Sequence, residues 1–500
     1  LEEWRYYSLI DAKPLWRAVR FEPPADPAAT MPGLIAGAAD DDEDLSDDEL
    51  AALDPGIDPS VEPGIEPGIE PGIEPGAEPI ETPASATASA DTPTVATTPA
   101  VAETPAPPPP LPQALQLSDG TLGAPPAKLE HPERIATYFA ALVDLAHGRR
   151  AKVRARHYGD SHLANDGISH VLRVLLQRRF GDGGHGFVVP RSRSKWFHHK
   201  GVRITSSDGW KSRAFIGGGF SDGAYGIGGN ASQGSYGDWA SVQTVEKGQG
   251  DKASVVELWW RPGKGAELGV LIGDGKETIV RSDAPGEVFS RLVGDASATA
   301  RAEAAQKVRV RVRHGKPRLF GWVIERERGV VWDSLGVVGA RARRWLRADA
   351  AHIAAHAAQR SGDLIVLNYG ANSRNDKISE ESYVRTFGEV LARLRPDARE
   401  PCLIIGPGDH GKRHKGHVES DPKTVAMVVW QRGAADALGC AFLDARAMMG
   451  GDGAMGRWVK AGLGWHDYAH LTPRGQAKLG RSIYQALMHG LADYLADGAR

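Results

Sequence analysis

The strongest constraint on the fold is the alternation of short apolar runs and amphipathic helical stretches downstream of Val330. The predicted strands are apolar throughout and cover Val330–Trp332, Leu364–Leu367, Cys402–Ile405 and Ala441–Leu443. The predicted helices cover Ala340–Gln359, Glu380–Leu394, Lys423–Leu438 and Pro473 to about Ala496. Apolar strands between amphipathic helices are typical of a parallel sheet covered on both faces. This part of the chain therefore predicts a doubly wound α/β domain.

The same pattern occurs once upstream. Residues 131–147 predict a helix, Lys152–Tyr158 a strand, and residues 166–180 a helix with apolar side chains at i, i+3, i+4 and i+7. A sharp turn at Gly159-Asp160 separates this strand from the second helix and places Ser161 where the helix is about to begin.

Between Gly186 and about Val330 the sequence pattern changes to short runs rich in β-forming residues, separated by Gly and Asp turns. A possible alanine-rich turn lies near 296–305. These runs are Val202–Thr205, Ser254–Trp260, Leu268–Ile272, Lys307–Val312 and Arg318–Ile324. The pattern predicts an inserted β-sandwich or jelly roll. We therefore divide the folded chain into an α/β domain of residues 129–186 and 331–500 and an insert of residues 187–330.

Residues 1–128 differ in composition from the rest. They hold 24 acidic and 5 basic residues, a net charge of −19, whereas the remainder has 39 acids and 55 bases, a net of +16. Residues 1–23 could form a short helix or docking segment. Residues 55–79 repeat a four-residue unit with proline in every period, and such sequence cannot build a core. We predict a disordered, extended tether over about 24–127. The positive charge of the remaining chain suggests either an anionic partner or a solvated surface.

The two cysteines, Cys402 and Cys440, allow one optional disulfide but no Cys-based metal site. No apolar run reaches the roughly 18–20 residues that a membrane-spanning helix needs. The chain opens on Leu1, which is compatible with removal of a signal peptide or anchor upstream of it.

Four loops at predicted strand ends carry residues suited to acyl transfer. Ser161 is the candidate nucleophile, His470 its base, and Asp467 the group that orients His470 and stabilises its charged form. The backbone N–H groups of Ser161 and Gly339 and the amide of Asn372 are candidate oxyanion donors.

In this order, the G-D-S turn at 159–161, Gly339, the G-x-N turn at 370–372 and the D-x-x-H string at 467–470 resemble the SGNH hydrolase (GDSL esterase/lipase) superfamily. The resemblance implies a flavodoxin-like sheet and gives the five residues above these catalytic and oxyanion roles. The first block reads GDSH rather than GDSL. The β-rich insert after the first block is similar to that of peptidoglycan O-acetylesterases, in which a carbohydrate-binding-module-like domain stands there and which remove acetyl from muramic acid O6.

The resemblance implies a cofactor-free and metal-free serine esterase that deacetylates a cell-surface polysaccharide, above all peptidoglycan, in the periplasm or outside the cell. A polysaccharide O-acetyltransferase, a general lipase or esterase, and a non-enzymatic wall-binding protein are the alternatives. The insert is the expected wall-binding part, and a membrane tether upstream of Leu1 is compatible with this reading. No motif supports nucleic-acid binding.

Several other residues have competing interpretations. Ser221 lies in a G-x-S-x-G string, which we interpret as a flexible loop, and His466 is an alternative base. Asp160 is interpreted as shaping the turn. His162 and Asp166 either edge the pocket or cap the following helix. Asp409, His410, His414 and His417 are interpreted as part of a basic, solvated loop. The tryptophans of the insert are interpreted as mostly core residues, some of which contact glycan: Trp196, Trp210, Trp239, Trp259, Trp260 and Trp322.

Overall fold

The computed structural model of the protein describes residues 112–117, 122–192, 194–217, 219–245, 248–293 and 307–498. The predicted helix within residues 1–23, most of the predicted tether and the alanine-rich turn near 296–305 lie outside these residues. None of the helices in the described ranges is both long and apolar enough to cross a bilayer.

A five-stranded parallel sheet forms the centre of the α/β part. Its strands are β1 (Lys152–Gly159), β13 (Gly329–Gly336), β14 (Leu364–Asn368), β15 (Cys402–Ile405) and β18 (Ala441–Leu443). Their spatial order is β13-β1-β14-β15-β18, so the chain direction across the sheet reverses between β1 and β14. Ligand sites in doubly wound sheets lie at this switch point. The predicted α/β fold is confirmed.

Helices cover both faces of the sheet. They are α1 (Ala136–Ala146), α2 (Ser161–Ala164), α3 (Gly167–Phe180), α4 (Ala350–Gln359), α5 (Glu380–Leu394), α6 (Pro422–Leu438), α7 (Ala445–Met448), α8 (Ala454–Lys460) and α9 (Pro473–Gly498). One core packs α1, α3 and α9 against the sheet, and a second packs α4, α5 and α6 against its other face.

The helix predicted over Ala340–Gln359 is interrupted. A 3₁₀ helix covers Ala342–Arg347, Ala348 is extended, and Asp349 then caps α4 by accepting a hydrogen bond from His352 N at 2.8 Å. Aspartate is a favoured N-cap, so a second helix start lies inside the predicted one. The buried Trp345 anchors the 3₁₀ turn by donating its indole N–H to the Tyr369 hydroxyl at 2.9 Å.

Two antiparallel sheets stand between β1 and β13 in the sequence. Their strands are β2 (Gly184–Val188), β3 (Val202–Ser206), β4 (Lys211–Ala214), β5 (Asn230–Gln233), β6 (Trp239–Thr244), β7 (Val255–Arg261), β8 (Ala266–Ile272), β9 (Thr278–Ser282), β10 (Val288–Val293), β11 (Lys307–His314) and β12 (Arg318–Glu325). One sheet has the order β10-β7-β12-β5-β4 with β2 also paired to β12, and the other the order β3-β6-β11-β8-β9. Alternate side chains of both sheets share one core, as in a β-sandwich.

The central strands β7 and β12 of the first of these sheets are buried on both faces. Trp260, Trp322 and Leu319 point into the sandwich core, whereas Trp259 and Phe320 pack against the α/β part. There the rings of Trp259 and Phe320 contact His356 of α4, with centroids 5.0 and 5.1 Å away. The two parts of the protein are therefore joined by a continuous apolar interface.

Two edges of the predicted division differ from the structure. Residues Gly184–Val188 pair with β12, so the antiparallel part begins before residue 187. At the N-terminal side, Leu115 and Leu122 are buried in the α/β core, so the ordered chain begins before Leu129. Isolated leucines among prolines and glycines give no periodicity, and the sequence pattern therefore missed both anchors.

The optional disulfide is present and joins Cys402 of β15 to Cys440, the residue before β18. Both cysteines are buried. The bond links two neighbouring strands and closes a loop over a sequence separation of 38.

A buried ionic network ties the parallel sheet to the antiparallel part. Arg360, at the end of α4, donates to Asp333 of β13 at 2.6 and 2.7 Å and to Glu325 of β12 at 2.7 Å. Glu325 also accepts from Lys152 at 2.6 Å and Arg154 at 3.1 Å, both on β1. Burial opposes ionisation of Glu325, but Arg360, Arg154 and Lys152 hold its pKa well below its ordinary value.

We expect Arg360→Ala to destabilise the fold by about 3–5 kcal/mol, because it leaves two buried carboxylates without their shared cation. Urea unfolding measures this loss. The matched control is Arg326→Ala, which breaks a partly exposed pair with Asp182 and should cost about 1 kcal/mol or less. Equal losses in the two variants would contradict the assignment of Arg360 as the central cation.

Candidate active site

The turn after β1 is built around Asp160. Its side chain is 2% exposed and accepts a hydrogen bond from His162 N at 3.1 Å, which caps the short helix that begins at Ser161. A Cβ at Gly159 would lie 3.0 Å from Asn368 O of the neighbouring strand and from Leu163. The turn is therefore tight, and it places Ser161 at the switch point of the sheet.

Ser161, His470 and Asp467 form a continuous hydrogen-bonded relay. Ser161 Oγ lies 3.3 Å from His470 Nε2, and His470 Nδ1 lies 2.6 Å from Asp467 Oδ2. The other carboxylate oxygen of Asp467 accepts from Ala469 N and His470 N at 2.9 and 3.0 Å, which folds the loop that carries the histidine. Sequence reasoning selected these three residues, and the structure brings them together.

The electrostatics of the relay suit proton transfer. Burial raises the pKa of Asp467, but the hydrogen bonds and charge of His470 and the backbone N–H groups outweigh it and lower the pKa to about 2. Ionised Asp467 accepts a hydrogen bond from the Nδ1–H group of His470. The lone pair of Nε2 therefore faces the serine hydroxyl. This is the tautomer that a general base requires.

The predicted oxyanion donors lie on the adjoining loops. Gly339 follows β13 with φ of +76°, and Val337 of the same loop donates its N–H to Gly159 O at 3.0 Å. Within the described ranges, the N–H groups of Ser161 and Gly339 donate to no backbone acceptor. The Asn372 amide already donates to Asp160 Oδ2 at 3.3 Å and to Ala340 O at 3.1 Å. Asn372 must therefore release one of these acceptors before it can bind a substrate oxygen.

His162 is a second histidine of the site. Its ring stacks on that of His470, with centroids 5.2 Å apart and an interplanar angle of 18°. Its Nδ1 lies 3.1 Å from Asp160 Oδ1 and its Nε2 3.0 Å from Ala469 O. A carboxylate and a carbonyl oxygen both accept hydrogen bonds, so this geometry favours the imidazolium form of the ring, in which both nitrogens donate. Burial lowers the pKa of His162, but its contacts with Asp160 and Ala469 raise it overall.

A pocket beside Ser161 is walled by apolar side chains. Ile168, Val338, Leu471 and Trp196 line it together with His162 and His470. Trp196 comes from the β2–β3 segment, which is held against α2 and α3 by hydrogen bonds from His198 N to Ala164 O at 3.1 Å and from Lys200 N to Asp166 at 2.9 Å. No spacing in the sequence indicates that Trp196 approaches Ser161, and sequence reasoning missed this role.

Asp166 lies in a buried ion pair rather than at the pocket. It is fully buried and pairs with Arg173 at 2.6 Å, which holds its pKa well below the ordinary value despite burial. It therefore supports the β2–β3 segment rather than the pocket edge.

The competing residues lie in other environments. Ser221 is in an exposed turn, with no strand leading to it and no helix following, and its neighbour Asp222 pairs with Arg261 and Arg318. His466 is exposed, and the Ser161 hydroxyl contacts His470 instead. The predicted solvated basic loop is instead a β-hairpin of β16 (Gly411–His414) and β17 (His417–Ser420).

The residues before this hairpin are buried. Asp409 pairs with Arg446 at 3.2 Å and accepts from Met455 N at 2.9 Å, and burial holds the pKa of His410 well below its ordinary value. His414 and His417 are exposed and pair in register across the hairpin. No group of three potential metal ligands occurs among the described residues.

The predicted tryptophans divide between core and surface. Trp259, Trp260 and Trp322 are fully buried, and Trp210 is nearly so. Trp239 is half-buried on the outer side of the β3-β6-β11-β8-β9 sheet, with the Arg309 guanidinium 4.6 Å from its ring centroid.

Residues 294–478 match the GDSL-like lipase/acylhydrolase family. This match includes Gly339, Asn372, Asp467 and His470, whereas the Ser161 turn lies upstream of it. No curated protein sequence matches the chain.

Three solved structures illustrate the structural similarity. A peptidoglycan O-acetylesterase superimposes with a TM-score of 0.58 at 22% identity, covering 73% of this chain and 96% of that one. A family two carbohydrate esterase from Cellvibrio japonicus gives a TM-score of 0.24 at 12% identity, covering 59% and 99%. A lipase/acylhydrolase from Enterococcus faecalis gives 0.25 at 15% identity, covering 32% and 77%.

The TM-score of the first comparison establishes a shared fold over most of the described chain. This fold and the family match over residues 294–478 agree with the resemblance to the SGNH hydrolase (GDSL esterase/lipase) superfamily and support carboxylic ester hydrolase activity.

Proposed function

We propose that the protein is a serine esterase that removes O-acetyl groups from a cell-surface polysaccharide, with peptidoglycan as its substrate. The observation that carries the chemistry is the Ser161–His470–Asp467 relay, with its distances of 3.3 and 2.6 Å.

The reaction proceeds in two acyl-transfer steps. His470 Nε2 takes the Ser161 proton while Oγ attacks the acetyl carbonyl carbon, and the carbonyl oxygen becomes an oxyanion. The backbone N–H groups of Ser161 and Gly339 and the side-chain amide of Asn372 stabilise this oxyanion. The bond to the sugar oxygen then breaks, and His470 gives its proton to that oxygen. Water attacks acetyl-Ser161 by the same route and releases acetate.

The polysaccharide substrate is inferred from several features together. The neighbour with the shared fold is a peptidoglycan O-acetylesterase. The body of residues 129–500 carries a net charge of +16, which favours a polymer that bears carboxylates. The two antiparallel sheets offer an additional surface for binding the glycan.

We also propose that the protein works in the periplasm or outside the cell. The Cys402–Cys440 disulfide supports this location, because disulfides persist mainly in oxidising compartments.

The direct test is acetate release from O-acetylated peptidoglycan and from a small aryl acetate. We expect Ser161→Ala to lower both rates roughly 10⁴-fold or more, because the acyl-enzyme cannot form. Ser221→Ala is the matched control and should retain full activity. Acetate release that persists in Ser161→Ala would refute the nucleophile. Acetylated glycan formed from an acetyl donor in excess of free acetate would instead identify an acetyltransferase.

The choice of base has its own test. We expect His470→Ala to lower kcat roughly 10⁴-fold, whereas His466→Ala retains activity. A loss of activity in His466→Ala comparable to that in His470→Ala would contradict the assignment.

The imidazolium state of His162 predicts a pH-dependent stability. A raised pKa means that its stabilisation is complete below the ordinary histidine pKa of about 6.5 and is lost as the pH rises through the higher folded pKa. The free energy of unfolding should therefore differ more between wild type and His162→Gln at pH 6 than at pH 9. Urea unfolding measures this, with His466→Gln as the control. A difference that grows with pH would contradict the imidazolium.

Trp196 is expected to limit the length of the acyl chain. Trp196→Ala removes one wall of the pocket and should raise the ratio of aryl butyrate to aryl acetate hydrolysis at least about tenfold. The ratio of kcat/KM values is insensitive to partial loss of folded protein. Trp239 does not line the pocket, so Trp239→Ala should leave the ratio unchanged. An unchanged ratio in Trp196→Ala would show that the acyl group lies elsewhere.

A further inference from the structure

The outer face of the β3-β6-β11-β8-β9 sheet carries a concentration of positive charge. On β11, Val308, Val310 and Val312 point into the sandwich core, so the alternate residues point outward. These outward residues are Lys307, Arg309, Arg311 and Arg313. Like charges therefore recur at every second position of one central strand.

The neighbouring strands extend this surface. Arg203 of β3 and Lys307 both pair in register with Gln243 of β6, and Trp239 pairs with Arg311. The half-buried Trp239 lies under the Arg309 guanidinium. We define the basic face as Arg203, Lys307, Arg309 and Arg311 together with Trp239.

Within the part of the chain that the structure describes, the cations of the basic face lack carboxylate partners. Nearby arginines are neutralised, since Arg281 pairs with Glu267 at 2.6 Å and Arg313 with Glu277 at 2.5 Å. Among the described residues, none of the four cations of the basic face pairs with an acid. Mutual repulsion of like charges on adjacent positions disfavours this arrangement unless an anion lies over it.

The same chain carries the complementary charge. Eight of the ten residues from Asp40 to Glu49 are acidic, and none is basic. We define residues 40–49 as the acidic segment. We propose that the acidic segment docks on the basic face of its own chain.

The connecting chain is long enough for this contact. The 62 residues from 50 to 111 link the acidic segment to Pro112, where the described residues begin. A proline-rich chain spans about 3.1 Å per residue, or at most roughly 190 Å here, against a radius of gyration of about 20 Å for a body of this size. Because the acidic segment belongs to the same chain, its binding is intramolecular and is favoured over binding of the same segment in trans. Even a contact of modest affinity would then be largely formed.

The inference goes beyond the esterase assignment and does not depend on it, because the contact needs no turnover.

The test is competition between the tethered segment and the same segment in trans. A fluorescein-labelled peptide of residues 36–54 is titrated into the full chain and its anisotropy is followed. The recipient variant has the eight acids of the acidic segment changed to amides (Asp→Asn, Glu→Gln). We expect the peptide to bind this variant at least tenfold more tightly than wild type, whose own segment occupies the face, with an affinity that falls steeply with salt.

The matched control removes the same number of charges elsewhere in the arm. Eight other acids are changed to amides, namely Asp58, Glu62, Glu66, Glu70, Glu74, Glu78, Glu81 and Asp91. This variant should bind the peptide as weakly as wild type does. Equal peptide affinity for wild type and the acidic-segment variant would overturn the proposal.

The location of the contact is tested on the basic face. In the acidic-segment variant, adding Arg309→Glu and Arg311→Glu should weaken peptide binding at least tenfold, and Arg309→Gln with Arg311→Gln should do so to a lesser degree. Lys412→Glu with Lys415→Glu, on the exposed β16–β17 hairpin, should have no effect. The circular dichroism spectrum reports folding of each variant.

Two further results would also overturn the proposal. One is loss of peptide binding in the hairpin variant alone. The other is equal binding of poly-glutamate to wild type and to the acidic-segment variant, which would show that the face is open to an external polymer. Because the readout is binding, absence of esterase activity would refute the proposed function and leave these outcomes intact.

Discussion

The arrangement of the site depends on one buried carboxylate, that of Asp160. One of its oxygens accepts from the backbone and the ring of His162, and the other from the Asn372 amide. Through His162 the connection reaches Ala469, in the loop that carries the base. Three loops of the sheet therefore meet at a side chain that takes no direct part in acyl transfer. A buried carboxylate requires such donors, because its ionised form is otherwise strongly disfavoured in the interior.

Much of this site could be predicted from the sequence. Ser161, Asp467 and His470 stand at strand ends in a fixed order, and parallel strands bring their carboxyl ends to one edge. The α/β alternation was readable because buried parallel strands are continuously apolar. The protonation of His162, in contrast, depends on a carbonyl 307 residues away, and the position of Trp196 depends on how the β2–β3 segment folds back. Neither contact leaves a local pattern in the sequence.

The same reason explains the errors in the fold prediction. The β16–β17 hairpin consists of basic and polar residues, so it lacks the apolar alternation that marks a half-buried strand. β2 is a glycine-rich run whose pairing with β12 spans more than a hundred residues. Leu115 and Leu122 are single anchors. Each of these elements is stabilised by partners distant in sequence rather than by its own composition.

The antiparallel sheets are inserted between β1 and its neighbouring strands in the parallel sheet. β1 lies between β13 and β14 in the sheet, yet β13 begins at Gly329 and β14 at Leu364. The Ser161 hydroxyl meets His470 across 309 residues of sequence. A growing chain therefore carries Ser161 long before His470 has been synthesised. Until His470 has folded against it, the hydroxyl of Ser161 is an ordinary alcohol.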